Sequence, residues 1–156
     1  MTEDKRQPMP LPTIDRSKWG AGPWDGEGDW IVFEHAGLPC RIVRHRLGHL
    51  NGYVGVPKGH PAYRVGYEDV DVEAHGGLTW SARLVAGEAA DTPFWWLGFD
   101  CAHSGDLQPG MREYLPDRGF FADHHYWTVL EVRAECARLA DQLVEQAAER
   151  LAQQGA

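Results

Sequence analysis

The stretch Thr128-Val-Leu-Glu-Val-Arg-Ala-Glu-Cys-Ala-Arg-Leu-Ala-Asp-Gln-Leu-Val144 decides the fold. Thr128 and Glu131 form a T-x-x-E capping box, in which each side chain serves the other's backbone N–H, and Trp127 is placed to staple onto Val132. Val129, Val132, Cys136, Leu139 and Leu143 step by 3, 4, 3 and 4, which draws an apolar stripe down one side of a helix. Ala140, Val144, Ala147 and Leu151 widen the stripe, and Gly155 can end the helix. A long amphipathic helix needs a surface to cover. Homodimerisation through a coiled coil is the alternative use of the stripe, which is short for one.

Upstream of the helix the periodicity changes from 3.6 to 2. Residues 29–35 (DWIVFEH) and 39–46 (PCRIVRHR) are rich in β-branched and aromatic side chains, and the three-residue link 36–38 contains a glycine, as a hairpin loop does. Residues 52–56 (GYVGV) read as a third short strand, stopped by Pro57. Residues 70–74 read as a short strand. Residues 77–85 alternate Leu78, Trp80, Ala82 and Leu84 with polar side chains, the pattern of a half-buried strand. Residues 94–99 (FWWLGF) are apolar on both faces and belong inside the sheet, joined to the preceding strand by a loop over 86–93. The expected fold is α+β, a mainly antiparallel sheet covered on one face by the C-terminal helix. Residues 1–18, with Pro8, Pro10 and Pro12, read as a flexible tail, and residues 19–156 as one domain. Trp19 and Trp24 mark a Gly-rich strap laid on that domain.

Composition limits the function classes. A formal net charge of −8 argues against general nucleic-acid binding. No apolar run is long enough to span a bilayer, and the N-terminus has no apolar signal region. Cys40, Cys101 and Cys136 are odd in number and widely spaced, which suits unpaired thiols in a reducing, cytoplasmic compartment.

Chemistry concentrates between residues 47 and 110. Asp100-Cys101-Ala102-His103-Ser104-Gly105-Asp106 follows the most apolar strand, so its side chains are held by a rigid element yet enter a loop. His75 opens the strand expected to pair with it, which brings His75 near Asp100 and His103. Two imidazoles and a carboxylate with an open position make a set for zinc or another divalent metal. Asp106, or an acid from among Glu68, Asp69, Asp71 and Glu73, then serves as general base. Cys101 with His103 raises the alternative of thiol catalysis. The competing reading makes Asp100 and His103 loop caps.

A second constellation is cationic. Between His35 and Tyr67 there is no Asp or Glu, while Arg41, Arg44, Arg46, Lys58 and Arg64 fall there with His45, His49 and His60. Arg44, Lys58, His60, the Gly76–Gly77 turn and a stacking aromatic such as Trp80 could hold a small anion such as a nucleotide. For Arg41, Arg44 and Arg46 the competing reading is solvated strand charge that blunts a sheet edge.

The strings Gly52-Tyr-Val-Gly-Val-Pro57, Gly59-His-Pro61, His75-Gly-Gly-Leu-Thr79 and Trp95-Trp-Leu-Gly-Phe-Asp-Cys-Ala-His103, with Gly105-Asp106, resemble a family of small bacteriophage and bacterial proteins. The resemblance covers residues 47–110 and the helix. It implies a phage or prophage-like setting and carries no reaction or catalytic residue. Three functions therefore follow from the sequence: a metal-dependent hydrolase at a His/Asp cleft, a non-catalytic binder that sequesters a small anionic host molecule, and a protein-interaction module using the helix.

Overall fold

The computed structural model describes residues 10–89, 92–115, 119 and 121–155. Five antiparallel strands form one sheet: β1 (Trp30–His35), β2 (Leu38–Arg44), β3 (Leu50–Pro57), β4 (Trp80–Ala82) and β5 (Phe94–Asp100), in the order β1-β2-β3-β5-β4. One helix, α1 (Val129–Gln154), packs on it, mostly against β3 and β2. The capping box is present, with Thr128 Oγ1 accepting from the Glu131 N–H and Glu131 Oε1 from the Thr128 N–H. The α+β fold is thus as its patterning predicts. Among the described residues no helix is long and apolar enough to cross a membrane.

Alternation sorts the strands into two faces. A Cβ on Gly52 would lie 2.4 Å from the Phe99 ring and 2.8 Å from Cys136 Sγ, so the even positions of β3 face α1 and glycine there lets the helix close on the sheet. Leu50, Val54 and Val56 of β3, with Cys40 and Ile42 of β2 and Leu97 and Phe99 of β5, meet Val132, Cys136, Leu139 and Leu143 in one core, Val54 pairing with Cys40 and Leu97 and Gly52 with Ile42 and Phe99.

The opposite face is covered by chain rather than by a helix. After β4, residues 83–89 fold back across the sheet. Val85 is buried there, Glu88 pairs with Arg41, and the Arg41 guanidinium lies 5.2 Å above the ring of the fully buried Trp96. This explains why β4 stops after three residues, although alternation runs over 77–85. Arg41, read as a solvated edge charge, is enclosed by this contact.

Two further expectations change. The β1–β2 hairpin turns on two residues, Ala36 (φ 53°) and Gly37 (φ 83°), with Leu38 already paired to His35. Both turn positions are left-handed, the backbone whose twist matches the flanking strands. Residues 70–74 form no strand. Their backbone is instead tied to α1 by glutamine side chains: Gln142 Nε2 donates to Glu73 O (2.8 Å), Gln142 Oε1 accepts from Glu73 N (2.7 Å), and Gln146 Nε2 donates to Asp71 O (2.6 Å).

A charged hub joins the start of the chain to the helix. Arg44 is 0% exposed. Its Nε donates to Asp29 Oδ1 (2.8 Å), Nη1 to Gly48 O (2.8 Å) and to the Tyr126 hydroxyl (2.7 Å), and Nη2 to Gly28 O (3.1 Å) and Glu27 Oε1 (3.4 Å). All five guanidinium donors are used. Glu27 also accepts from Tyr126 through Oε1 and from the first helical N–H, Val129, through Oε2 (2.6 Å). Within the segment read as tail, Arg16 donates to Trp24 O, to Glu27 O (2.8 Å) and to Asp29, while residues 1–9 lie outside the described residues. Trp19 and Trp24 are buried beside Tyr126, as a strap requires.

Removing one partner of such a buried network leaves the others charged and unpaired. Arg44→Ala is expected to cost about 3–5 kcal/mol in urea denaturation. A loss below about 1 kcal/mol, the range of a surface ion pair, would show that the hub carries no structural weight.

Candidate functional site

The end of β5 builds the site through two aspartates. Asp100 accepts from the Ala102 N–H through Oδ1 (3.1 Å) and from the Thr79 hydroxyl through Oδ2 (2.9 Å), which turns the chain out of the sheet. Asp106 is 7% exposed and turns it back. Its Oδ2 accepts from His103 N (2.9 Å) and faces His75 Nε2 (2.7 Å), and its Oδ1 accepts from Trp127 Nε1 (3.1 Å). These donors meet the hydrogen-bonding demand of a side chain this enclosed.

The two histidines expected to meet do so, with ring centroids 5.4 Å apart. Their carboxylates differ: His75 pairs with Asp106, while His103 Nε2 lies 3.2 Å from Asp100 Oδ1. The second contact has the distance of an ion pair without the alignment of a hydrogen bond, and His103 Nε2 is otherwise without a polar partner. Gly76, in the left-handed region at φ 69°, makes room for it, because a Cβ there would lie 2.1 Å from His103 Nε2. The Gly76–Gly77 turn thus seats an imidazole, whereas the sequence reading gave it to an anion. Trp127 lays its ring 4.1 Å from that of His75 and also belongs to the partly buried apolar layer around the core.

Six of the eight histidines collect at this end. His45 and His49 stack at 4.5 Å, and both feel the charge of Asp100. His125 meets Trp127 edge-on at 5.7 Å and pairs with Glu131 (2.7 Å). His124 lines, with His103, Ser104, Asp106, Gln108 and Phe121, a cleft of about 430 Å³. Burial, and then repulsion from His45, pushes the His49 imidazole down to about 4.

The remaining sequence candidates take no part in these contacts. Arg44 is consumed by the hub, so a ligand role is replaced by a scaffold role. Trp80 is 42% exposed on the edge strand β4. Lys58 is exposed at the turn after β3. His60 is held by its own loop and by α1, with Nδ1 accepting from Ala62 N (2.9 Å) and Nε2 facing Leu143 O (2.7 Å). Cys101 is 1% exposed, and burial together with the Asp106 and Asp100 charges drives its thiol far above the usual range. Its burial and raised range both run against the exposed thiolate that the thiol reading needs.

The three-ligand metal set is not assembled either. Among the described residues no group of three His, Cys, Asp or Glu side chains converges as a cation would require. His75 is engaged by Asp106, while Asp100 serves Thr79 and the Ala102 N–H and has His103 Nε2 3.2 Å away. Sequence reasoning missed Gln108 and the roles of Thr79 and Trp127, and it grouped His49 with the cationic stretch and not with this site. Thr79 and Trp127 each stand beside a recognised motif, and nothing in their spacing shows that their polar atoms reach Asp100 and Asp106. No protein family, curated protein or solved structure matches the chain.

Two outcomes follow. His49 has its folded value, about 4, below its ordinary 6.5, so the unfolded chain takes the proton first. The stability owed to neutral His49 is complete above about pH 6.5 and is lost as the pH falls toward about 4, with a slope of up to about 1.4 kcal/mol per pH unit. Urea midpoints measured across that window should fall less steeply in His49→Gln, and identical slopes would contradict the assignment. Cys40, Cys101 and Cys136 are all free and buried. Thiol titration without reductant should count three groups in denaturant and none rapidly in the native protein, and a count below three in denaturant would reveal a disulfide.

Proposed function

We propose that this chain is a small hydrolase that works by paired acid–base chemistry, with His75 as general base and His103 as the second proton carrier. The observation that carries this reading is the buried Asp106 carboxylate held 2.7 Å from His75 Nε2 by two further donors, at the wall of a cleft. A carboxylate on Nε2 fixes the tautomer, leaves Nδ1 as the basic nitrogen, and stabilises the imidazolium once the proton has arrived. In the proposed reaction His75 takes a proton from water as the oxygen attacks the electrophilic centre. His103, beside Asp100, delivers a proton to the departing oxygen. Proton and charge balance across the two imidazoles, and a second turnover needs only their re-equilibration with solvent.

The metal-dependent form of the hydrolase would have to break the His75–Asp106 pair to gather His75 with Asp100 and His103 on one ion. The donor arrangement therefore favours the form without it. The bacteriophage resemblance bears on setting alone and adds nothing to this chemistry.

The test is hydrolysis of bis(p-nitrophenyl) phosphate and p-nitrophenyl acetate by the purified protein, with EDTA and separately with zinc or manganese. The expected result is turnover that survives EDTA, follows a bell-shaped pH profile, and falls by about 10²–10⁴-fold in His75→Ala. Turnover seen only with added metal would restore the metal-dependent form. No turnover of either probe, or turnover indifferent to His75→Ala, would overturn the proposal.

A further inference from the structure

The far end of α1 carries a second concavity, unrelated to the histidine end. Its lining includes Gly59, Pro61 and Tyr63 from the loop after β3 and Ala147, Arg150 and Leu151 from the last turns of the helix, enclosing about 340 Å³. It lies some 23 residues along α1 from Trp127, roughly 35 Å at 1.5 Å per residue.

Three features set it apart. The first is charge. Arg150 lines the pocket, and Lys58 and Arg64 adjoin it as the chain neighbours of the lining residues Gly59 and Tyr63, with Glu149 the neighbour of Arg150; none of the three cations makes an ion pair among the described residues. Asp and Glu are absent from the lining. In a chain of net charge −8 such cations would ordinarily find carboxylates. The C-terminal end of a helix is also its negative end, so an anion there must be held by side-chain cations.

The second feature is strain. Arg64 adopts a left-handed backbone at φ 61°, and outside the β1–β2 turn it is the only described non-glycine residue that does. This conformation is unfavourable for a long side chain, and it coincides with a guanidinium 5.7 Å from the Tyr63 ring centroid, at the pocket wall. The third feature is that the wall is already rigid. His60 spends both ring nitrogens on Ala62 N and Leu143 O and so fixes the loop against the helix. Pro61, Ala147 and Leu151 supply an apolar side opposite the polar one.

We infer that this pocket binds a small organic phosphate monoester, its phosphate held by Arg150 with Arg64 and Lys58 and its organic body against Pro61, Ala147 and Leu151. The site is independent of the acid–base cleft. Of the anion site expected from sequence, Lys58 adjoins this pocket and His60 stands in its wall with both ring nitrogens already engaged, while Arg44 and Trp80 lie elsewhere.

The experiment is isothermal titration of the full chain with adenosine monophosphate, adenosine and inorganic phosphate. Saturable binding of the monophosphate is expected, stronger than that of either fragment and weakening as salt is raised. Arg150→Gln should weaken it by about tenfold or more, as loss of a charge-assisted contact does. Arg64→Gly should raise the melting temperature by relieving the backbone while weakening the binding, a split that a purely structural Arg64 would not give. His75→Ala should leave binding unchanged, which separates this site from the cleft. Absence of saturable monophosphate binding, or binding indifferent to Arg150→Gln, overturns the inference.

Discussion

A fully buried guanidinium is costly unless every donor is met, and the architecture of this protein is organised around meeting those of Arg44. Its partners come from the strap (Glu27, Gly28), the entry to β1 (Asp29), the β2–β3 turn (Gly48) and the segment before the helix (Tyr126). Glu27 then caps α1 at Val129. One side chain thereby fixes the angle at which the N-terminal strap crosses the sheet and the point at which the helix begins. The apolar core between sheet and helix supplies most of the driving force, and the polar hub ties the start of the helix to the strap at one height along the sheet.

That height sets the geometry at the other polar centre. Trp127 precedes the helix by two residues, and its indole N–H reaches Asp106 while its ring lies against His75. Asp106 in turn holds the backbone of His103. The separation of the two imidazoles is therefore linked, through Trp127 and Tyr126, to the packing of Arg44. Neither histidine sits on a strand. Asp100, at the end of β5, lies beside His103, and Asp106, in the loop beyond it, holds His75 and the His103 backbone, so the site has defined geometry without belonging to the ladder.

The legible parts of the sequence were those whose physics is local. The capping box at Thr128, the stripe from Val129 to Leu143 and the alternation of the strands each depend on neighbours within a few residues. The approach of His75 to His103 was also legible, because hairpin pairing of two adjacent segments brings their ends together. Contacts between distant segments were not. Nothing near Arg44 marks it as buried rather than solvated, since its partners lie up to 82 residues away in sequence. Residues 70–74 have the composition of a strand, yet their backbone found glutamine side chains on α1 instead of a neighbouring ladder. The division of His75 and His103 between two carboxylates likewise depends on Trp127 and Thr79, whose polar reach no periodicity encodes.

The glutamine clamp has a consequence for how stability is distributed. Strands β2, β3 and β5 and the helix share one core and must open together. The chain from Val70 to Ala74 shares less: Val70, Val72 and Ala74 are only partly buried, and three side-chain hydrogen bonds hold its backbone to the helix. Releasing it leaves every rung of the sheet intact, so its opening free energy lies well below that of global unfolding. His75 is the next residue. The molecule thus carries its two facing imidazoles on regions of unequal persistence, His103 beside the end of an interior strand and His75 on a segment that can leave the helix while the sheet and core remain formed.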